Sequence, residues 1–243
     1  MSSAGQDELI SRIDELQNKV AALRPYEGDM FVQLRKYYRL GLTWTSNAIE
    51  GSSYTESETK ILLEDGITIG GKSLRDTFAA LGHAKAYDHM LSLLGQQEIT
   101  ERDIKIMHKM LESGLETGTA GEYRTTAVFV TGSPFTFPSA KTVPALMREL
   151  FETTIPELAS LHPVRQSARI HEALVTIHPF SDGNGRIARL AMNTCLIQHG
   201  FLPVQIHPVI RKEYIDSLRT AQLSGDSGEF VELILRQQIE SQR

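Results

Sequence analysis

The residues best suited to chemistry stand together in one stretch, His178-Pro179-Phe180-Ser181-Asp182-Gly183-Asn184-Gly185-Arg186-Ile187-Ala188-Arg189. Gly183 and Gly185 leave the backbone free to turn N–H groups toward an anion, and a helix beginning near them would add its positive end. That combination is a phosphate seat. Arg186 and Arg189, three apart on such a helix, share a face and could grip terminal phosphates with bidentate forks. Asp182 offers a hard carboxylate ligand for Mg²⁺ bridging phosphates. His178 suits a general base, because imidazole titrates at about pH 6.5 and can take a proton from an incoming hydroxyl. Phe180 is expected to face inward and anchor the loop.

Other chemistries fit the stretch poorly. Gly183 to Ala188 matches the dinucleotide fingerprint, but that fingerprint needs a strand before it and an acidic residue about 20 positions on. A helical pattern precedes it here, and no acid follows until Glu213. A Walker loop would need Lys followed by Ser or Thr. A metal hydrolase is disfavoured because His162, His171 and His178 are far apart and His171-Glu172 lacks the second His of a zinc helix. A purely structural turn with surface arginines is the bland alternative, and six specific residue types in twelve positions weigh against it.

Helices must carry this loop. Ala168, His171, Leu174 and Val175 are helically spaced up to His178, and after Gly185 a second helix runs to Gly200, stopped by Pro203. Thr100-Glu101-Arg102-Asp103 starts a helix whose buried row is Ile104, Met107 and Leu111. Thr55-Glu56-Ser57-Glu58 has the capping-box form and opens a short helix toward Gly66. Further helical patterns cover 74–94, Val143 to Phe151, Lys212 to Gln222 and Gly228 to Gln238. From about Met30, Leu34, Tyr37, Tyr38, Leu42 and Ala48 recur at helical intervals until Gly51, which puts Glu50 at a helix end. The stripe Ile13, Leu16, Val20, Leu23 has two uses open to it, docking on the core or building a homodimer surface. Between Tyr123 and Phe137 the period changes. Thr126, Val128 and Val130 alternate, a Gly132-Ser133-Pro134 turn follows, and Phe135 and Phe137 alternate again, which predicts a β-hairpin. The expected fold is all-α with that one hairpin.

Composition narrows the function classes. The 243 residues are 41% hydrophobic, enough for a sizeable core. A net charge of -5 and a pI near 5.9 argue against a nucleic-acid partner, which would need clustered Lys and Arg. Cys195 is the single cysteine and lies in an apolar helical stretch, so no intrachain disulfide forms and a reducing compartment is expected. No run approaches the roughly 18 apolar residues of a membrane span. The start, Met1 to Gln6, is small and polar. These features give the expectation of a soluble, cytoplasmic protein without a membrane partner.

The stretch from His178 to Arg189 resembles the signature of the Fic family, His-x-Phe-x-Asp/Glu-Gly-Asn-Gly-Arg-x-x-Arg, at every fixed position. The order of helix, hairpin, helices, signature and closing helices is also similar to the family fold. The resemblance implies a catalytic core over 96–243 behind an N-terminal helical region over 1–95. It implies transfer of AMP from ATP, with Mg²⁺ or Mn²⁺, to a Tyr, Thr or Ser hydroxyl of a target protein and of the chain itself. His178 would be the base and Asp182 the metal ligand. Gly183, Asn184, Gly185, Arg186 and Arg189 would hold the triphosphate. The related Doc-type proteins, which phosphorylate, carry Lys where Gly185 stands. The hairpin has a family counterpart, a flap that docks the target by strand-like pairing; here it would be 127–138, with Thr131, Gly132 and Ser133 at the ATP. Tyr214 and Gln222 fall where the family contacts adenine, although Asn is usual at the second position.

By the same likeness, Ser46-Asn47-Ala48-Ile49-Glu50-Gly51 fits the family's inhibitory motif, with Ser46, Glu50 and Gly51 as its fixed residues and a helix over about 30–51 as its carrier. A Glu50 carboxylate paired with Arg189 would take the place of the ATP γ-phosphate and misalign the α-phosphate. Two alternatives stay open: removal of AMP by hydrolysis using Glu50, and a nonenzymatic helical interaction protein.

Overall fold

The computed structural model describes residues 3–25, 28–96, 98–115, 118–129 and 134–243. The N-terminal stripe forms α1 (Ser3–Ala21), and α2 (Asp29–Ile49) follows. Ile13 and Leu16 turn into the main core and Val20 is buried, while Leu23, beyond the helix, stays exposed. The short α3 (Glu56–Lys60) opens on the capping box: Thr55 Oγ1 accepts from the Glu58 N–H at 3.3 Å, and the Glu58 carboxylate accepts from the Thr55 N–H at 2.8 Å. One π-helical turn (Ile61–Asp65) carries the chain to Gly66, left-handed at φ 68°. Then come α4 (Leu74–Ser92) and α5 (Glu101–Leu111), the latter capped by Thr100 and Asp103 in the same reciprocal way. Gly82 lets these two helices touch, since a Cβ there would run into the Leu111 carbonyl. A larger residue at 82 would therefore force them apart.

The second half supplies α6 (Val143–Glu149), a π-helical turn (Leu150–Thr154), α7 (Ile155–Leu158), α8 (Pro163–Ile177), α9 (Asn184–Gln198), α10 (Arg211–Ser224) and α11 (Gly228–Ser241). The middle of the molecule is α9. Its residues from Arg186 to Ile197 are all buried, so it is packed on every side rather than along one stripe. Each fully buried Leu, Ile or Phe contributes roughly 1.5–3 kcal/mol, and Ile187, Leu190 and Leu196 of α9 together with Leu174 of α8 fix the axis that starts at the loop. Cys195 is part of this packing. Among the described residues, no helix is long and apolar enough to cross a membrane.

The hairpin expected between Tyr123 and Phe137 is not found: the described parts, 123–129 and 134–137, contain no strand. One guanidinium takes the place of a ladder. Arg124 donates to the carbonyls of Thr126 (3.0 Å), Pro138 (2.6 Å) and His178 (2.7 Å), drawing the two arms together at their base through a side chain. The arms therefore approach each other without exchanging the paired backbone bonds that define strands. Thr131, Gly132 and Ser133 lie outside the described residues.

Candidate active site

Where α8 ends, the chain turns into the loop. Pro179 cannot extend a helix. His178 caps α8 in the left-handed region (φ 53°, ψ 59°) and gives its N–H to the Leu174 carbonyl at 2.9 Å. Such a conformation costs a non-glycine residue about 1–2 kcal/mol, which the surroundings must hold. Nδ1 of His178 lies 3.2 Å from the Val175 carbonyl. A carbonyl only accepts, so Nδ1 carries the proton and Nε2 keeps its lone pair. Burial holds the imidazole pKa below its usual value; Arg124 adds to this, while the Val175 carbonyl, Glu50 and Asp182 oppose it. At neutral pH the ring is a neutral base.

The loop is clamped from below by α5. Phe180 is fully buried and stacks on His108 with ring centroids 3.7 Å apart. His108 Nδ1 accepts from the Gly121 N–H at 2.8 Å, which leaves Nε2–H to donate to the Asp182 carbonyl at 3.2 Å. Burial pushes the His108 pKa down to about 4, consistent with this neutral tautomer. Asn184 spends its amide on the loop as well: its Oδ1 accepts from the Phe180 N–H and its Nδ2 donates to the Phe180 carbonyl, both at 2.8 Å. Gly183, left-handed at φ 77°, is the N-cap of α9.

Two guanidinium groups and a backbone N–H meet at Asp182. Its Oδ1 accepts from the Gly183 N–H at 2.6 Å and lies 3.5 Å from Arg186 Nη2, and its Oδ2 accepts from Arg75 Nη2 at 3.0 Å. Burial raises the Asp182 pKa, but Arg186, the Gly183 N–H and Arg75 outweigh it and hold the carboxyl below its ordinary range. Arg186 also lies 3.6 Å from Glu112. Arg189 has a different set of partners. Its Nε donates to Ser46 Oγ at 2.9 Å, Nη2 to the Ser46 carbonyl at 3.0 Å and to Glu50 Oε1 at 2.6 Å, and Nη1 to the Tyr214 hydroxyl at 3.2 Å. That hydroxyl in turn meets His171 Nε2 at 2.9 Å. In the fold Arg186 and Arg189 each have their own set of partners.

Glu50, His178, Asp182, Gly185, Arg189, Tyr214 and Gln222 line a cleft of about 400 Å³. Gln222 donates weakly to the Val175 carbonyl at 3.4 Å. Besides Asp182, the Glu50 carboxylate stands in the cleft at the mouth of α9. A Cβ built on Gly185 would come 2.7 Å from Glu50 Oε1 and 3.2 Å from Arg189 Nη1, so glycine there makes the room that the anion fills. Gly51, left-handed at φ 93°, ends the segment that delivers Glu50, and Arg211 Nε caps the Ile49 carbonyl at 2.6 Å. Arg75, His108, Glu112 and Arg124 were not read from the sequence. His108 and Glu112 look like ordinary polar positions of an amphipathic helix, and nothing near Arg75 or Arg124 announces a role.

Residues 98–196 match the model of the Fic/DOC family. The protein adenylyltransferase Fic of Nematostella vectensis is 34% identical over 234 residues, covering 94% of this chain and 53% of that protein. The chain thus spans about half the length of the curated relatives it matches. Among solved structures, Fic-1 from C. elegans superposes with a TM-score of 0.86 at 29% identity, covering 99% of this chain and 71% of that one. A Fic domain containing signaling protein from Bacteroides thetaiotaomicron gives a TM-score of 0.86 at 26% identity, with 95% of each chain covered.

Proposed function

The chain carries a Fic/DOC domain and belongs to that family, and from this premise we propose that it is a protein adenylyltransferase, moving AMP from ATP to a Tyr, Thr or Ser hydroxyl of a target protein and of itself. We assign the catalytic core to 96–243 and the regulatory helices to 1–95. The observation that carries the reading is the anion seat at the start of α9, where Arg189 binds a carboxylate in the same cleft as a neutral His178.

In this reading Nε2 of His178 takes the proton of the target hydroxyl, whose oxygen attacks the α-phosphorus; a new P–O bond forms as the bond to pyrophosphate breaks. Arg189, Gly183 and Gly185 hold the polyphosphate. Arg186 supports the same seat through Asp182, and Asn184 keeps the loop in shape. Tyr214 and Gln222 sit in the wall where the adenine would lie. The donor set suits a divalent cation such as Mg²⁺ or Mn²⁺, because Asp182 presents a half-exposed hard carboxylate to the cleft. When bound there, the cation supplies charge neutralisation for the departing pyrophosphate. The segment 127–138 is our candidate for docking the target.

Incubating the full chain with a lysate and ATP labelled at either the α- or the γ-phosphate tests this. Covalent retention of the α label alone is expected. Transfer of the γ label would make the protein a kinase instead, and a mass increment of UMP or phosphocholine would replace the donor. A second reading, hydrolytic removal of AMP, is favoured by the Glu50 carboxylate standing 45% exposed in the cleft with His178. AMP release from a pre-modified protein measures it.

A further inference from the structure

Glu112 is the last thing a phosphate site would be expected to bury. It caps the end of α5 with 2% of its side chain exposed, and among the described residues neither carboxylate oxygen has a hydrogen-bond partner. Leaving a buried carboxylate without donors is costly, and such groups call for an explanation. Its charged neighbour is Arg186, with Nη2 at 3.6 Å from Glu112 Oε1. The same nitrogen lies 3.5 Å from Asp182 Oδ1. Charge-assisted bonds between such groups close to about 2.7–2.9 Å when nothing competes. Arg186 is thus shared between two carboxylates and closed on neither.

The sharing bears on Asp182. This inference rests on the reading of Asp182 as the ligand of a divalent cation. A guanidinium buried to 6% exposure needs a counter-charge. With Asp182 as its sole partner, Arg186 would close on that carboxylate, and a cation arriving there would strand a buried positive charge beside itself. We propose that Glu112 is a positioning residue for the metal seat: it serves as the counter-charge of Arg186 and so keeps that buried guanidinium from closing on Asp182, whose carboxylate is then held by the Gly183 N–H and the exposed Arg75 and can turn to a divalent cation. Its two unused oxygens can accept the guanidinium fully once Asp182 turns to the metal. The pair lies close under the loop: a Cβ on Gly183 would come 2.8 Å from Leu111 Cδ2, 3.3 Å from Glu112 Oε1 and 3.6 Å from Arg186 Nη2. Burial raises the Glu112 pKa and the nearby Asp182 adds to the rise, while Arg186 and Arg75 oppose it.

The test is binding of Mn²⁺ to the full chain with a non-hydrolysable ATP analogue, followed by electron paramagnetic resonance, beside calorimetry of the analogue without metal. Glu112→Gln keeps the volume and removes the charge. It should weaken Mn²⁺ binding by on the order of tenfold or more, the range seen when groups behind a metal ligand are removed, with metal-free binding little changed. Glu112→Asp should recover part of the loss. A folded Glu112→Gln protein that takes Mn²⁺ as the wild type does would overturn the proposal and leave Glu112 a structural ion pair. Should the single variant fail to fold, the Glu112→Gln/Arg186→Gln pair removes both buried charges. Near-normal Mn²⁺ affinity relative to metal-free affinity is then expected, and a persistent loss overturns the proposal. Asp182→Asn separates the two claims. Equal Mn²⁺ uptake by Asp182→Asn and wild type overturns the metal reading and Glu112's role with it, whereas Asp182-dependent uptake indifferent to Glu112→Gln overturns the role of Glu112 alone.

Discussion

Glu50 Oε1 sits 2.6 Å from Nη2 of Arg189, the one a half-exposed carboxylate at the end of α2, the other a guanidinium buried in α9. The two residues lie 139 positions apart in the chain. Arg189 is fixed on its other sides by Ser46 and Tyr214, so the nitrogen facing the cleft is offered to one anion at a time. A carboxylate and a phosphate oxygen compete for it.

Removing the competitor should release activity. Glu50→Gly is expected to raise AMP transfer on the order of 10- to 100-fold, the size of a typical coupling between two mutually exclusive occupants of a site. His178→Ala in that background should return the rate to the blank, because the proton then has no acceptor. The measurement is incorporation of α-labelled phosphate at saturating Mg-ATP. Equal rates for wild type and Glu50→Gly would mean that Glu50 is no brake.

Gly185 tests whether carboxylate and phosphate use the same space. A Cβ there would stand 2.7 Å from Glu50 Oε1, tighter than unbonded atoms tolerate. In an otherwise wild-type chain Gly185→Ala should loosen the Glu50–Arg189 pair. In the Glu50→Gly background the same methyl should intrude on the incoming phosphate and raise the Kd for ATP. Calorimetry decides it: unchanged ATP affinity of the double variant would place the triphosphate elsewhere.

Much of this site was legible in the sequence because its parts are contiguous. The stretch from His178 to Arg189 needs only one loop and one helix start to become a seat, and Pro179 and Gly183 mark where one helix stops and the next begins. Thr55 and Thr100 capped their helices as read, because both halves of each capping box lie within four residues. The link from Glu50 to Arg189 was visible only through the family motif, since no local rule joins residues so distant. The hairpin failed for a different reason. Alternation at Thr126, Val128, Phe135 and Phe137 is a local signal, whereas the tie that shapes the segment is the Arg124 guanidinium reaching carbonyls as far off as His178. Glu112 and Arg75 were invisible because a polar residue at a helix end ordinarily faces water, and only the packed fold brings them to Arg186 and Asp182.

The pH dependence of transfer follows from the state of His178. Its pKa is lowered by burial, so the neutral, proton-accepting form persists below pH 6.5. The rate kcat/KM of the Glu50→Gly protein should rise with pH along an acid limb whose midpoint lies below about 6.5, the ordinary imidazole value. Glu50 raises the His178 pKa, so the midpoint for wild type, where measurable, should lie above that of Glu50→Gly. A limb centred above 6.5 in the variant would exclude a buried neutral imidazole as the base.

Acid stability should report the buried histidines around the site. Burial brings the His83 pKa down to about 3, with Arg189 and Arg186 adding to the fall, and takes that of His108 to about 4. In the unfolded chain both titrate at about 6.5. Between pH 6.5 and 4 the unfolded state therefore binds more protons than the folded one, so stability is present above 6.5 and is lost as the pH falls through this window. The loss should reach a few kcal/mol, at about 1.4 kcal/mol per pH unit for each fully shifted group. Urea midpoints measured across the window give the slope. His83→Leu, which also deprives the Thr43 hydroxyl of its partner at 3.1 Å, should lower the midpoint at neutral pH yet flatten the slope, because one proton-linked group is gone. A midpoint independent of pH in the wild type, or an identical slope in His83→Leu, would show that these rings are charged in the fold, and the neutral His108 that clamps the loop would then need another explanation.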